Sequence, residues 1–170
     1  MRRNIEWLLF VFVALLLSFS TSTQAAELEE HLLLLQPLIG VEWVGGYVGP
    51  EAPDLEISLS FEPILDGKAV RYTREAPAAN FTAVTHFYWN TNCGELCFLN
   101  LNNRGIVEEG IVTIEGDGLV LHGSSHWSDR TIEFRTTLKI DAGGKLSDTF
   151  IRKEDGEWVQ GHFQEFLDRD

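Results

Sequence analysis

Basic residues, cysteines and helical signals are all scarce in this chain, and each shortage excludes something. Lysine and arginine number 13 against 26 aspartates and glutamates in 170 residues, a formal charge of −13. A surface so balanced repels nucleic acid and anionic lipid. The acidic residues are spread along the chain rather than gathered in a tail, so they read as solvated surface. Two cysteines cannot complete a structural zinc site. There is no G-x-S-x-G, no H-E-x-x-H, no glycine-rich phosphate loop before a helix and no calcium loop, so no motif announces a reaction. Linkers, low-complexity tracts and internal repeats are absent too, which leaves a single domain.

What is present begins with a leader. Arg2 and Arg3 precede a short apolar stretch, residues 7–19, and small residues follow, with Thr23 and Ala25 at the spacing of a signal-peptidase site. The uninterrupted apolar run covers 11 residues, 7–17, where a membrane span needs roughly 20. Residues 1–25 are therefore expected to be a cleaved signal peptide, with a secreted or periplasmic domain at 26–170 and no stable membrane insertion afterwards. Loss of Arg2, Arg3 and Glu6 moves the formal charge to −14.

The domain opens on Leu28, Leu32 and Leu35 at helical spacing, closed by Pro37 and Gly40, which predicts one short helix over residues 27–36. From there the period is that of strands. Leu55, Ile57, Leu59 and Phe61 alternate with Glu56, Ser58, Ser60 and Glu62. Ile132, Phe134, Thr136, Leu138 and Ile140 alternate with Glu133, Arg135, Thr137 and Lys139 in the same way. Turn signals such as D66-G67, N102-N-R-G105, D141-A-G-G144 and D155-G156 divide the remainder into about ten strands. Sequential antiparallel strands with short hairpins and no crossover helices point to an all-β, up-and-down barrel; an open two-sheet sandwich is the rival.

The segments LQPLIGVEWVGGY, FEPILDGKAVRYTRE and THFYWNTNCGELCF resemble a group of secreted bacterial lipocalin-like, calycin-type β-barrel proteins, and the resemblance spans nearly all of residues 26–170. It implies a calycin-like barrel with a short N-terminal helix. The spacing G40-V-E-W43 is one residue longer than the G-x-W of true lipocalins. More distantly the chain resembles nitrobindin-type barrels, in which a histidine of a late strand ligates haem iron. VQGHFQEFL resembles that segment, and the resemblance would give His162 that role, with Gly161 letting a flat macrocycle approach. Apart from this haem alternative no cofactor is expected, and no metal site.

Cys93 and Cys97 flank a predicted hairpin tip. In an oxidising compartment the expected outcome is a disulfide across the turn, free thiols being the alternative; so short a loop limits the chain-entropy gain to about 2 kcal/mol. His122 and His126 lie on one strand face opposite Leu119, Leu121 and Trp127, so that face is read as wet.

The last two strands carry the anomaly. Leu146 and Phe150 share a face with Asp148 and Arg152, while Trp158 and Phe166 share one with Gln160, His162 and Gln164. Arg71 or Arg74 on strand three and Glu108 on strand six are candidates to join them. A dry core does not tolerate such groups unpaired. Either the barrel holds an internal polar cavity, or the pairing flips at a bulge and these groups face solvent. The cavity reading gives a candidate ligand site of Arg71, Arg74, Phe134, Asp148, Phe150, Arg152 and His162, and a small apolar or amphipathic molecule as the partner. The alternatives are a cavity enzyme of the isomerase or decarboxylase kind, drawing acid and base from His162, Asp148, Glu108 and Arg152, or a loop-mediated protein-interaction module with a filled core.

Overall fold

The computed structural model describes residues 27–169; the expected leader lies outside the described residues. Ten strands follow one another: β1 (Glu42–Tyr47), β2 (Ile57–Ile64), β3 (Ala69–Ala76), β4 (Phe81–Asn90), β5 (Glu95–Asn102), β6 (Val107–Glu115), β7 (Gly118–His126), β8 (Thr131–Ile140), β9 (Leu146–Glu154) and β10 (Glu157–Asp168). Each pairs antiparallel with its sequence neighbours, and β1 also pairs with β10, so the sheet closes into an up-and-down barrel with no free edge. The open sandwich is excluded. Local chemistry sets the connections. The β9–β10 hairpin turns on Asp155 and Gly156 alone, both at positive φ (50° and 88°), which is the backbone a two-residue hairpin with native twist requires.

The expected short N-terminal helix is present, as a 3-10 helix spanning Glu30–Leu38, displaced a few residues from 27–36. Leu32, Leu35 and Leu38 recur every third residue, and three residues per turn stacks them in one row. All three are at most 3 % exposed. They plug one end of the barrel, each burial stabilising by about 1.5–3 kcal/mol. Against this plug sits a dry core that includes Phe61, Val70, Phe87, Leu146 and Phe166. The opposite end, bounded by the β3–β4, β5–β6 and β7–β8 hairpins, is built differently.

One irregularity decides which side chains of β10 face inward. The β9–β10 register shifts between Gln160 and His162, placing Gly161 in a bulge. A bulge inserts one residue and reverses which side chains point inward beyond it. His162, Gln164 and Phe166 therefore face the interior. Trp158 and Gln160, expected on the same face, lie outside and exposed, with the Arg135 guanidinium 4.7 Å above the Trp158 ring.

Candidate functional site

Away from the plug the interior opens into a cavity of about 360 Å³. Phe81, Arg104, Ile106 and Trp127 form its outer rim, with the Arg104 guanidinium 5.3 Å above the Phe81 ring. Gly110 and Gly123 oppose each other on β6 and β7. A Cβ on Gly123 would lie 2.6 Å from the Phe98 ring and 3.0 Å from that of Phe134. The absent side chain is what lets those two rings meet edge-on at 6.0 Å.

The cavity floor is ionic. Tyr72 and Arg74 point inward together because alternate strand residues share a face. Arg74 Nε donates to the Tyr72 hydroxyl oxygen at 3.0 Å, and Arg74 Nη2 ion-pairs with Oδ2 of the fully buried Asp148. Asp148 Oδ1 faces His162 Nε2 at 3.6 Å, just beyond hydrogen-bond reach. Burial works to raise the Asp148 carboxyl, but the Arg74 charge and His162 together hold it below the usual carboxylate range. Burial likewise opposes the Arg74 charge, and Tyr72 and Asp148 more than offset it, leaving the guanidinium more firmly protonated than usual. The Tyr72 phenol is pushed up to about 12, mainly by burial.

His162 is held by aromatic rings. Phe150 stacks on it at 5.0 Å and 11° between planes, and Tyr47 meets it edge-on at 5.8 Å. Gln164 lies opposite Asp148 in the β9–β10 register and opposite Tyr47 in the β1–β10 register. It is fully buried, and neither atom of its amide has a hydrogen-bond partner; Asp148 Oδ1 and His162 Nε2 also lack one.

A second polar group stands on the wall formed by β5, β6 and β7. Asn100, Glu108 and Ser125 are directly opposite one another across the three strands. Asn100 Nδ2 donates to Glu108 Oε2 at 2.7 Å, and Ser125 Oγ donates to Glu108 Oε1 at 3.0 Å. Trp127 Nε1 in turn donates to Ser125 Oγ at 3.1 Å. The Asn100 carbonyl oxygen is buried without a partner.

Of the residues singled out from sequence, Arg74, Phe134, Asp148, Phe150, His162 and Glu108 line this one cavity. Two arginines do not. Arg71 points outward, where it ion-pairs with Glu62 with its side chain 45 % exposed. Arg152 lies at the barrel's edge, 38 % exposed, its Nε 2.6 Å from Glu154 Oε1. His122 and His126 face outward, His122 to Thr113 and Glu115 and His126 to Thr131 and Glu109. Sequence reasoning missed Tyr72, Asn100 and Ser125 as site residues, and placed Gln164 on the polar face of the last strand without including it in the ligand site. The available signal for Tyr72 was its place two residues before Arg74, and for Gln164 its place two residues after His162.

The expected disulfide is not formed. Cys93 is an exposed thiol and Cys97 a buried one. The turn closes through Gly94 N–H to the Asn90 carbonyl at 2.8 Å and aims the Cys93 sulfur at that same oxygen, 3.7 Å away. Cys97 is fixed within β5, opposite Tyr88 and Ile111. Burial, with Cys93 nearby, pushes the Cys97 thiol up.

The haem alternative does not fit these residues. A macrocycle beside Gly161 needs the space taken by the Phe150 ring, whose Cδ1 would lie 2.3 Å from a Cβ on that glycine. The His162 ring is stacked on Phe150, and its Nε2 is directed at Asp148.

Fold and cavity together define the class: a closed ten-stranded antiparallel barrel whose interior is compatible with a bound small molecule. No family model matches the chain, and no curated protein sequence matches it. Among solved structures, the crystal structure of Rv2717c from M. tuberculosis superposes with a TM-score of 0.55 at 17 % identity, over 85 % of this chain and 99 % of that one. The likeness is one of fold.

Proposed function

We propose that this protein is a secreted or periplasmic barrel that binds a small apolar or amphipathic molecule in the cavity above the Arg74–Asp148 pair. The observation that carries the reading is Gln164: a fully buried amide with neither atom partnered, in a wall that also holds an unpartnered oxygen of Asp148. Each such group costs about 1–3 kcal/mol when left unmade. An interior optimised only for stability would hold leucine there. Phe134, Phe150 and Leu121 supply an apolar surface above these polar atoms. The test is titration with the neutral fluorescent probe N-phenyl-1-naphthylamine. Saturable binding that quenches tryptophan emission, and weakens about tenfold when His162 and Phe150 are both changed to alanine, is the expected result. Probe emission that never saturates would remove the reading.

One observation favours a second reading, catalysis. A buried carboxylate oxygen faces an imidazole nitrogen at 3.6 Å, and a slight approach to hydrogen-bond distance would fix the histidine tautomer. With its N–H held toward Asp148, His162 would keep a lone pair on Nδ1 and serve as a proton acceptor for an isomerase-type reaction. Arg152, at the barrel's edge, has no place in that set, and Glu108 stands on a different wall. A proton-exchange assay on carbonyl compounds, wild type against His162→Gln, separates catalysis from simple binding.

A further inference from the structure

Resting on the cavity-binding reading, the polar groups of the interior narrow the ligand's class. Inside the cavity Arg74 is already neutralised by Asp148. Glu108 is not neutralised: its two oxygens accept from the neutral donors Asn100 and Ser125, and among the described residues no cation pairs with it. Arg104, the other cavity arginine, is exposed at the rim and lies over Phe81. The carboxylate is also held in place. The two flanking strands supply its neighbours in direct register, and Trp127 donates to Ser125 in turn. A half-buried, oriented charge without a counter-ion is costly to the free protein.

The unpartnered atoms have a sense of their own. Asp148 Oδ1 and His162 Nε2 face each other at 3.6 Å, and the Gln164 amide brings one acceptor and one donor, which leaves Asn100 Oδ1, beside Glu108, as an acceptor with nothing to match it. The cavity therefore lacks a donor and one positive charge at Glu108 and Asn100. An alkyl ammonium group brings three donors and that charge. The aromatic rings of Phe98 and Phe134 in the same cavity attract cations further, and the chain's charge of −13 steers cations toward it.

We propose that the cavity takes an amphipathic organic amine, its protonated nitrogen on Glu108 and Asn100 and its apolar body against the aromatic rings. The pre-formed Arg74–Asp148 pair closes the alternative, because a ligand carboxylate would have to displace Asp148 from its arginine.

The experiment is displacement of N-phenyl-1-naphthylamine by three probes with one ten-carbon chain: decylamine, decanol and decanoate, each below its micellar concentration. On the wild-type protein decylamine should displace at about tenfold lower concentration than decanoate, the scale of a charge-assisted hydrogen bond. Glu108→Gln should abolish that preference, so that decylamine and decanol displace the probe at similar concentrations. Decanol or decanoate equalling decylamine on the wild-type protein overturns the amine assignment and leaves cavity binding standing. That ranking needs no variant, so it decides even where Glu108→Gln fails to fold. Absence of probe binding altogether removes the cavity reading and this inference with it.

Discussion

Arg74 on β3 and Asp148 on β9 stand four strands apart around the barrel wall, yet their side chains meet in its interior as an ion pair. The contact ties opposite walls and sets the depth of the cavity. Breaking a buried pair from one side leaves the other charge unmatched, which is worse than removing both. Arg74→Met should therefore destabilise by about 3–5 kcal/mol, and adding Asp148→Leu should recover much of it. Urea midpoints of the two single variants and the double variant measure this. A double variant as unstable as the worse single would show that the pair is not what the site depends on.

The same pair fixes an acid limb of stability. Burial raises the Asp148 carboxyl, yet Arg74 and His162 carry it below its ordinary 3.8. Above that value the carboxylate's interactions are fully present. As pH falls below 3.8 toward the folded value, the unfolded chain takes up the proton first and the stability drains away. Asp148→Asn should flatten this part of the profile, read as thermal midpoint against pH. An unchanged acid limb would assign it to other carboxylates.

At the alkaline end Tyr72 acts in the opposite direction. Burial lifts its phenol from 10.0 to about 12. Its contribution is intact below 10 and is lost as pH rises toward 12, because the unfolded chain ionises first. Ultraviolet titration should show one phenol fewer in that window when Tyr72→Phe is compared with wild type. The substitution should also reduce the loss of stability there. If the two titrations coincide, Tyr72 is not the buried phenol.

The thiols give a direct chemical readout. Cys93 is exposed, and Cys97 is buried with its thiol pushed up by that burial. Alkylation of the native protein without reductant should modify Cys93 quickly and Cys97 slowly, and unfolding should expose both. Mass spectrometry counts the adducts. A protein that accepts none until reduced contains the disulfide that compartment alone would suggest.

These residues also show where the sequence was informative. Clean alternation in β2 and β8, with glycine and asparagine at the turns, made the barrel legible because each strand has one buried face. Asp148 stood out as a charge between Leu146 and Phe150 on such a face. Arg71 and Arg74 could not be separated, because Ala69 and Val70 are both apolar and both buried, so the phase of β3 has no local marker. The meeting of Arg74 and Asp148 depends on barrel closure between β1 and β10, which no short window contains. The disulfide failed for a different reason: the expected export and the spacing argue for a bond, but the Asn90–Gly94 turn decides where the Cys93 sulfur points. The short N-terminal helix was legible from Leu28, Leu32 and Leu35, and its 3-10 form follows only when Leu38 joins Leu32 and Leu35 in one row.

Gly161 is the residue on which the site's geometry turns. Without its bulge, the alternation of β10 would put Trp158 and Gln160 on the same face as His162, Gln164 and Phe166; with it, the first two lie outside while the last three face the interior. The glycine has a steric role as well: the Phe150 ring lies against its Cα, so that a Cβ would meet Cδ1 at 2.3 Å and Cε1 at 2.8 Å. Phe150 is also the ring on which His162 stacks. Gly161→Ala must therefore push Phe150 toward the cavity or straighten the bulge. Overpacking of this kind costs about 1–3 kcal/mol. The expected result is a protein that still folds, with a modestly lower thermal midpoint and at least tenfold weaker uptake of N-phenyl-1-naphthylamine, a change of about 1.4 kcal/mol or more. Adding Phe150→Leu to Gly161→Ala should restore the midpoint by vacating the contested space, but not probe binding, because the stacked wall of the cavity is gone. If Gly161→Ala leaves both stability and probe binding unchanged, the contact between this glycine and the Phe150 ring does not shape the cavity.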